Sequence, residues 1–156
     1  MAYTLAELQA LDLGYISGVD LLRFAPAPLL LNQAAIGIDF TESFGIAQTE
    51  IISELSNQYD FTAEFKKEFP EATGTPPVLP ADTREKLVVK LISIQTIRNI
   101  LGSIAGTNDQ MNYWFEWYDK NIEKIKTRSR KLNLPIALHC ELANSKLVHA
   151  RFMTLG

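Results

Sequence analysis

The chain has 156 residues, the length of one domain rather than two. Its 47% hydrophobic and 21% charged residues are typical of a globular protein and exclude a disordered one. The longest uncharged apolar run, residues 24–38, contains two prolines, which excludes a bilayer-spanning helix there, and residues 1–9 lack the pattern of a signal peptide.

We therefore expect no membrane association and a location in the cytosol or in an assembly built there.

The net charge of −3 is unevenly distributed along the chain. Residues 1–80 hold 11 acidic and 3 basic side chains, whereas residues 81–156 hold 7 acidic and 12 basic ones. The two halves could neutralise each other within a monomer, or the acidic face of one copy could contact the basic face of the next. The single cysteine, Cys140, excludes an internal disulfide.

Two capping boxes predict two short helices at the start of the chain. Thr4–Glu7 and Ser17–Asp20 each place a hydroxyl three residues before a carboxylate. We expect the first helix to end near Gly14 and the second, residues 19–24, to be stopped by the following prolines. Residues 26–39 are then a loop or an extended segment.

A longer helix is predicted over residues 41–58, capped by Asp39 or Thr41. Its apolar positions have helical spacing, and they are Phe44, Ala47, Ile51, Ile52, Leu55 and Tyr59. Residues 60–80 are predicted to be irregular, because a proline- and glycine-rich linker follows three phenylalanines spaced by four.

The last two helices are predicted to form a long antiparallel pair. The first is capped by Asp82 or Thr83 and runs to Leu101. The second is capped by Thr107, Asn108 or Asp109 and runs to Lys131. The predicted core anchors of this pair are Leu91, Ile94, Trp114 and Tyr118.

The end of the last helix is strongly basic and is the main candidate site. Between residues 120 and 131, six basic side chains face one acid, Glu123. The candidate residues for an interface or a DNA channel are Lys120, Lys124, Lys126, Arg128, Arg130 and Lys131. They could contact phosphate groups, or they could be a solvated helix end that the helix dipole favours.

The C-terminal segment has a different character. Pro135 stops the last helix, and residues 135–142 and 146–155 alternate partly between apolar and polar. We expect residues 1–134 to form a small, mainly α-helical bundle with an extended loop. Residues 135–156 are expected to form a β-hairpin or an extended arm, which needs a partner surface to be stable.

No group of residues indicates catalysis. His139 and Cys140 are adjacent, so they would point to opposite faces of a strand, and no metal-ligand spacing accompanies them. The glycines at 102 and 106 lack the preceding strand and following lysine of a phosphate-binding loop. We therefore expect a protein without enzymatic activity, cofactor or metal.

Four features in chain order resemble the small head–tail connector proteins of tailed bacteriophages, also called adaptor or head-completion proteins. The sequence YISGVDL at 15–21 is similar to a short motif near the start of those proteins. A helix ending in a tyrosine follows, then a proline-containing loop at 76–80, and then a last helix with Tyr118, Ile122 and Ile125. The resemblance covers residues 13–130.

The resemblance implies a structural virion protein in the neck, assembled in the host cytoplasm. Such proteins form a ring, commonly of twelve copies, below the portal protein and around the DNA exit channel. They dock tail or stopper proteins, and non-specific contact with packaged DNA is expected. The alternative is a small helical nucleic-acid-binding module that uses the basic end of the last helix, although the low isoelectric point, near 5.4, argues against it.

Overall fold

In a computed structural model that describes residues 3–137, helices dominate and confirm the mainly α-helical class. No β-strand occurs in this range, which contains isolated bridges only. Two short 3-10 helices span Glu64–Lys66 and Gly102–Thr107. The α-helices are α1 (Leu5–Gln9), α2 (Gly18–Leu22), α3 (Ala27–Ala35), α4 (Phe40–Leu55), α5 (Lys86–Leu101) and α6 (Asp109–Lys126).

The first two helices begin where the capping boxes predicted. The Thr4 hydroxyl accepts from the Glu7 N–H at 3.2 Å, and the Glu7 carboxylate accepts from the Thr4 N–H at 2.8 Å. In α2 the Asp20 carboxylate accepts from the backbone N–H of Ser17 at 3.0 Å. The first helix ends at Gln9, well before Gly14. It ends early because residues 11–18 turn back and the Gly18 N–H donates to the carbonyl of Leu11 at 2.8 Å.

The prediction of a loop over residues 26–39 is wrong, because residues 27–35 form α3. Pro26 occupies the N-cap and Pro28 lies in the first turn, where a helical N–H has no acceptor within the helix. The two prolines therefore start this helix instead of preventing it. Leu30 and Ala34 bury its inner face.

The most extensive helix packing in the described part of the chain is between α4 and α5. The predicted pair, α5 and α6, also packs together, but over a smaller contact. Asp39 caps α4 as predicted, since its carboxylate accepts from the N–H groups of Thr41 and Glu42. The predicted apolar face is buried except for Ile52, which is 40% exposed, and Tyr59, which is partly buried. The side chain of Asn99 on α5 donates to Glu50 of α4 at 2.9 Å.

Helix α5 is the central element of the core. Leu91 and Ile94 are fully buried, as predicted. By length and composition alone, residues Lys86–Thr107 could cross a membrane, but their most apolar window is 61% buried inside the domain, as in the core helix of a packed bundle.

The prediction that Asp82 or Thr83 caps α5 is wrong. Glu85 caps α5 by accepting from the Val88 N–H at 2.8 Å, while Asp82 bonds Arg84.

A buried polar network joins the YISGVDL segment to residues 64–85. The Arg84 guanidinium donates to Asp20 at 2.9 Å and to the carbonyl of Tyr15 at 2.8 Å. The Tyr15 hydroxyl donates to Glu64 at 2.9 Å, and burial together with this bond raises the pKa of Tyr15. Burial works against the charged form of Glu64. Even so, hydrogen bonds from the Glu85 N–H, Lys67 and Tyr15 hold the pKa of Glu64 below its usual value. The YISGVDL segment therefore has a structural role inside the core.

The start of the C-terminal segment lies against residues 58–60, which follow α4. Ile136 forms an isolated antiparallel bridge with Tyr59, the Asp60 N–H donates to the carbonyl of Pro135, and the Ala137 N–H donates to that of Gln58. The rest of the predicted hairpin or arm, residues 138–156, lies outside the described residues.

Candidate interface at the basic end of the last helix

The six basic candidate residues do not project along one helix. Helix α6 ends at Lys126, not at Lys131. Arg128 adopts a positive φ of 63°, and the Ser129 hydroxyl and the Arg130 N–H both donate to the carbonyl of Lys124. The chain therefore turns back after α6, and the last three basic residues lie beside the helix end rather than beyond it.

Lys126 and Arg130 contact defined partners in the fold. Lys126 forms ion pairs with Glu54 of α4 and with Glu123, and these contacts raise its pKa. Arg130 donates to the side-chain oxygen of Asn121 and lies 5.8 Å from the Trp117 ring centre. Lys126 and Arg130 therefore help to hold the helix end in place, which the sequence did not indicate.

Lys120, Lys124 and Lys131 are exposed to solvent. The first two lie on α6 and present positive charge near its C-terminus, where the helix dipole favours cations. Arg128 and Lys131 line a groove next to Tyr59. The structure thus brings Lys120 and Lys124 to the outer face of α6 and sets Arg128 and Lys131 beside a separate groove.

A cation–aromatic cluster adjoins the basic end and was missed by the sequence analysis. The Lys90 ammonium of α5 lies 4.8 Å from the Trp114 ring centre and 4.2 Å from that of Trp117. Phe24 packs edge-on against Trp114 at 5.0 Å. Partial burial and the charge of Arg130 lower the pKa of Lys90. The sequence feature that could have indicated this cluster is Lys90 itself, a charged residue among the apolar residues of α5.

The prediction that Trp114 is a core anchor is wrong. Trp114 is only partly buried, at the edge of the core, and its neighbour Tyr113 is 61% exposed. Tyr118 is buried as predicted, with 5% exposure, and burial raises the pKa of its hydroxyl. Phe115 and Tyr118 thus belong to the buried side of α6, together with Met111, Ile122 and Ile125, whereas the two tryptophans lie at the edge of the core.

This difference predicts unequal effects of alanine substitution on one helix. Phe115→Ala is expected to lower the free energy of unfolding by about 3–5 kcal/mol, as for buried aromatic residues. Trp114→Ala is expected to cost only about 1–2 kcal/mol, because it loses ring and cation contacts at the surface. Urea unfolding of both variants measures the two costs. Equal losses would place Trp114 in the core after all.

The acidic residues opposite the basic end take part in helix packing. Glu50 accepts from Gln95 and Asn99 of α5, and Glu54 pairs with Lys126. Within residues 3–137, no cluster of three histidine, cysteine or carboxylate side chains could hold a metal ion. The arrangement can therefore bind anionic groups at Lys120 and Lys124, whereas Lys126 and Arg130 are used in the fold.

Comparisons of this chain with protein-family models, with curated proteins and with solved structures found no match.

Proposed function

We propose that this protein is a structural virion protein without enzymatic activity, a head–tail connector of a tailed bacteriophage. It forms an oligomeric ring below the portal protein, around the DNA channel, and docks the tail. The observation that carries the proposal is the exposure of Lys120 and Lys124 on one face of α6, in a chain whose first 80 residues are strongly acidic.

The separation of charge supports a head-to-tail contact between copies. A contact between two different surfaces of the same chain closes into a ring when the rotation between neighbours allows it. Exposed acids such as Glu42 and Glu71 are available on the N-terminal half of the chain. Complementary charge fixes orientation and accelerates encounter more than it adds affinity.

The remaining parts of the proposal come from the resemblance. They are a ring of twelve copies, the portal protein above, tail or stopper proteins below, and a place in the virion neck after assembly in the host cytoplasm. Basic side chains that do not meet a neighbouring copy would face the phosphates of packaged DNA, a contact that carries no sequence information.

Charge reversal tests the role of the α6 face. Lys120→Glu combined with Lys124→Glu is expected to prevent assembly while leaving the helical circular dichroism signal unchanged. The matched control is Lys66→Glu, which reverses a lysine that is also exposed, elsewhere on the domain. Sedimentation velocity of the variants measures assembly. If the double variant assembles like the unmodified chain, the α6 face is not an assembly surface.

The second candidate function is a nucleic-acid-binding module. It is favoured by the cluster of Lys90, Trp114, Trp117 and Arg130, next to the exposed ring of Tyr113, because cations and aromatic rings together suit phosphates and bases. This function requires a monomer that binds DNA with an affinity that falls steeply with salt. The connector function requires assembly into a larger particle.

A further inference from the structure

A projecting loop carries two large apolar side chains that no other residue within 3–137 covers. We name residues 71–81 the Val78 loop. Every residue in it is exposed, and Val78 and Leu79 are 66% and 65% exposed. Two hydrogen bonds between the backbones of Thr73 and Val78, at 3.0 and 2.9 Å, close its turn. The loop therefore has a defined shape, which lowers the entropy lost on docking.

The base of the Val78 loop is fixed to the N-terminal part of the domain. The Phe69 N–H donates to the carbonyl of Gly14 at 3.0 Å, and the Lys67 ammonium donates to that of Thr83 at 2.7 Å. Residues 68–83 contain three acids, Glu68, Glu71 and Asp82, and no lysine or arginine. The loop thus presents an apolar tip within an acidic segment.

A groove of complementary character lies where the chain leaves α6. We name it the Tyr59 groove. It has a volume of about 350 Å³, and its lining residues are Gln58, Tyr59, Arg128, Lys131, Leu132, Leu134 and Ile136. The Leu132 N–H donates to the Tyr59 hydroxyl at 3.2 Å, which fixes one wall. Ile136 is 51% exposed, so the groove offers apolar surface with basic residues among its lining residues.

We propose that the Val78 loop of one copy docks into the Tyr59 groove of the next copy, with Val78 and Leu79 in the apolar groove and Glu71 near Lys131. The partner is a second copy of this chain, because the loop and groove match in both apolar character and charge. The two surfaces differ, so each copy uses both and the contact propagates head to tail. This inference rests on the proposed function and adds an apolar part to its subunit contact, separate from the face that carries Lys120 and Lys124.

Removing the apolar tip tests the loop. Val78→Ser with Leu79→Ser is expected to raise the concentration for half-assembly roughly tenfold or more, because two aliphatic side chains lose their burial. The matched control is Ile36→Ser, which removes a 71% exposed apolar side chain outside the proposed contact. Sedimentation velocity over a concentration series gives the half-assembly concentration for each chain.

Mixing two defective variants tests the direction of the contact. The second variant combines Lys131→Glu with Ile136→Glu in the groove. At the concentration at which the unmodified chain is half-assembled, each variant alone should be mainly monomeric. Their mixture should give a one-to-one dimer and nothing larger, since only the loop of one and the groove of the other remain intact.

Each outcome of these experiments decides something different. If the unmodified chain assembles and the loop variant assembles equally well, this contact is wrong and the connector proposal stands. If only the groove variant is defective, the groove holds another segment or another protein, and the inference is overturned. A mixture that stays monomeric also overturns it. If the unmodified chain is monomeric at every concentration, both proposals fail.

Discussion

Arg84→Met is expected to lower the free energy of unfolding by about 3–5 kcal/mol, because it leaves the Asp20 carboxylate buried without its partner. The Arg84 and Asp20 side chains are 2% and 0% exposed, and their charged atoms lie 2.9 Å apart. Without Arg84, the Asp20 carboxylate would keep only the bond from the Ser17 N–H, because within the described residues its other oxygen has no hydrogen-bond partner. Methionine retains most of the length of the side chain, so the lost packing is small.

Chemical unfolding in urea measures this cost. The matched control is Lys126→Met, which removes an ion pair with Glu54 whose side chains are 37% and 43% exposed. Solvent screens such a pair, so this control should lose much less stability. Adding Asp20→Asn to Arg84→Met should recover part of the loss, because the unpaired charge is removed. A cost for Arg84→Met no larger than that of the control would show that the pair is not buried in the folded protein.

Gly18→Ala is expected to cost about 3 kcal/mol or more, which is the upper end of the range for overpacking. A Cβ at position 18 would lie 1.6 Å from the backbone carbonyl oxygen of Leu8. Backbone atoms cannot rotate aside as a side chain can. The backbone would have to shift to relieve this clash. That shift would disturb the hydrogen bond from the Gly18 N–H to the Leu11 carbonyl, which closes the loop between α1 and α2.

Gly45→Ala provides the opposite expectation for the same chemical change. Gly45 lies inside α4, and a Cβ there would meet nothing within 4 Å. Alanine is a better helix former than glycine by about 1 kcal/mol, so this variant should be more stable. Thermal unfolding of the two variants gives the comparison. A stable Gly18→Ala variant would mean that α1 and α2 are not packed as closely as described.

Local signals in the sequence predicted the helix starts that depend on neighbouring residues. Thr4, Asp39 and Asn108 cap their helices, because the capping bond involves residues two or three positions away. Asp82 failed as a cap because Arg84 binds it, and Arg84 is held in turn by Asp20, which lies 64 residues away in the sequence. Partners so distant leave no local pattern.

The candidate site was predicted in composition but not in shape. Lys120, Lys124 and Lys126 lie on the last helix as the sequence predicted, but α6 ends at Lys126 and a left-handed residue at Arg128 turns the chain back. No glycine or proline marks that turn. Lys90 joined the site because α5 and α6 pack together, and a tertiary contact of this kind cannot be inferred from spacing along either helix.

The mass of the purified chain in solution, measured by sedimentation velocity across protein and salt concentration, tests the connector proposal most directly. The proposal predicts a closed ring of defined mass at low salt, weakening as salt screens the contact between acidic and basic surfaces. A monomer at every concentration that binds DNA with a steep dependence on salt would contradict it and would favour the nucleic-acid-binding module.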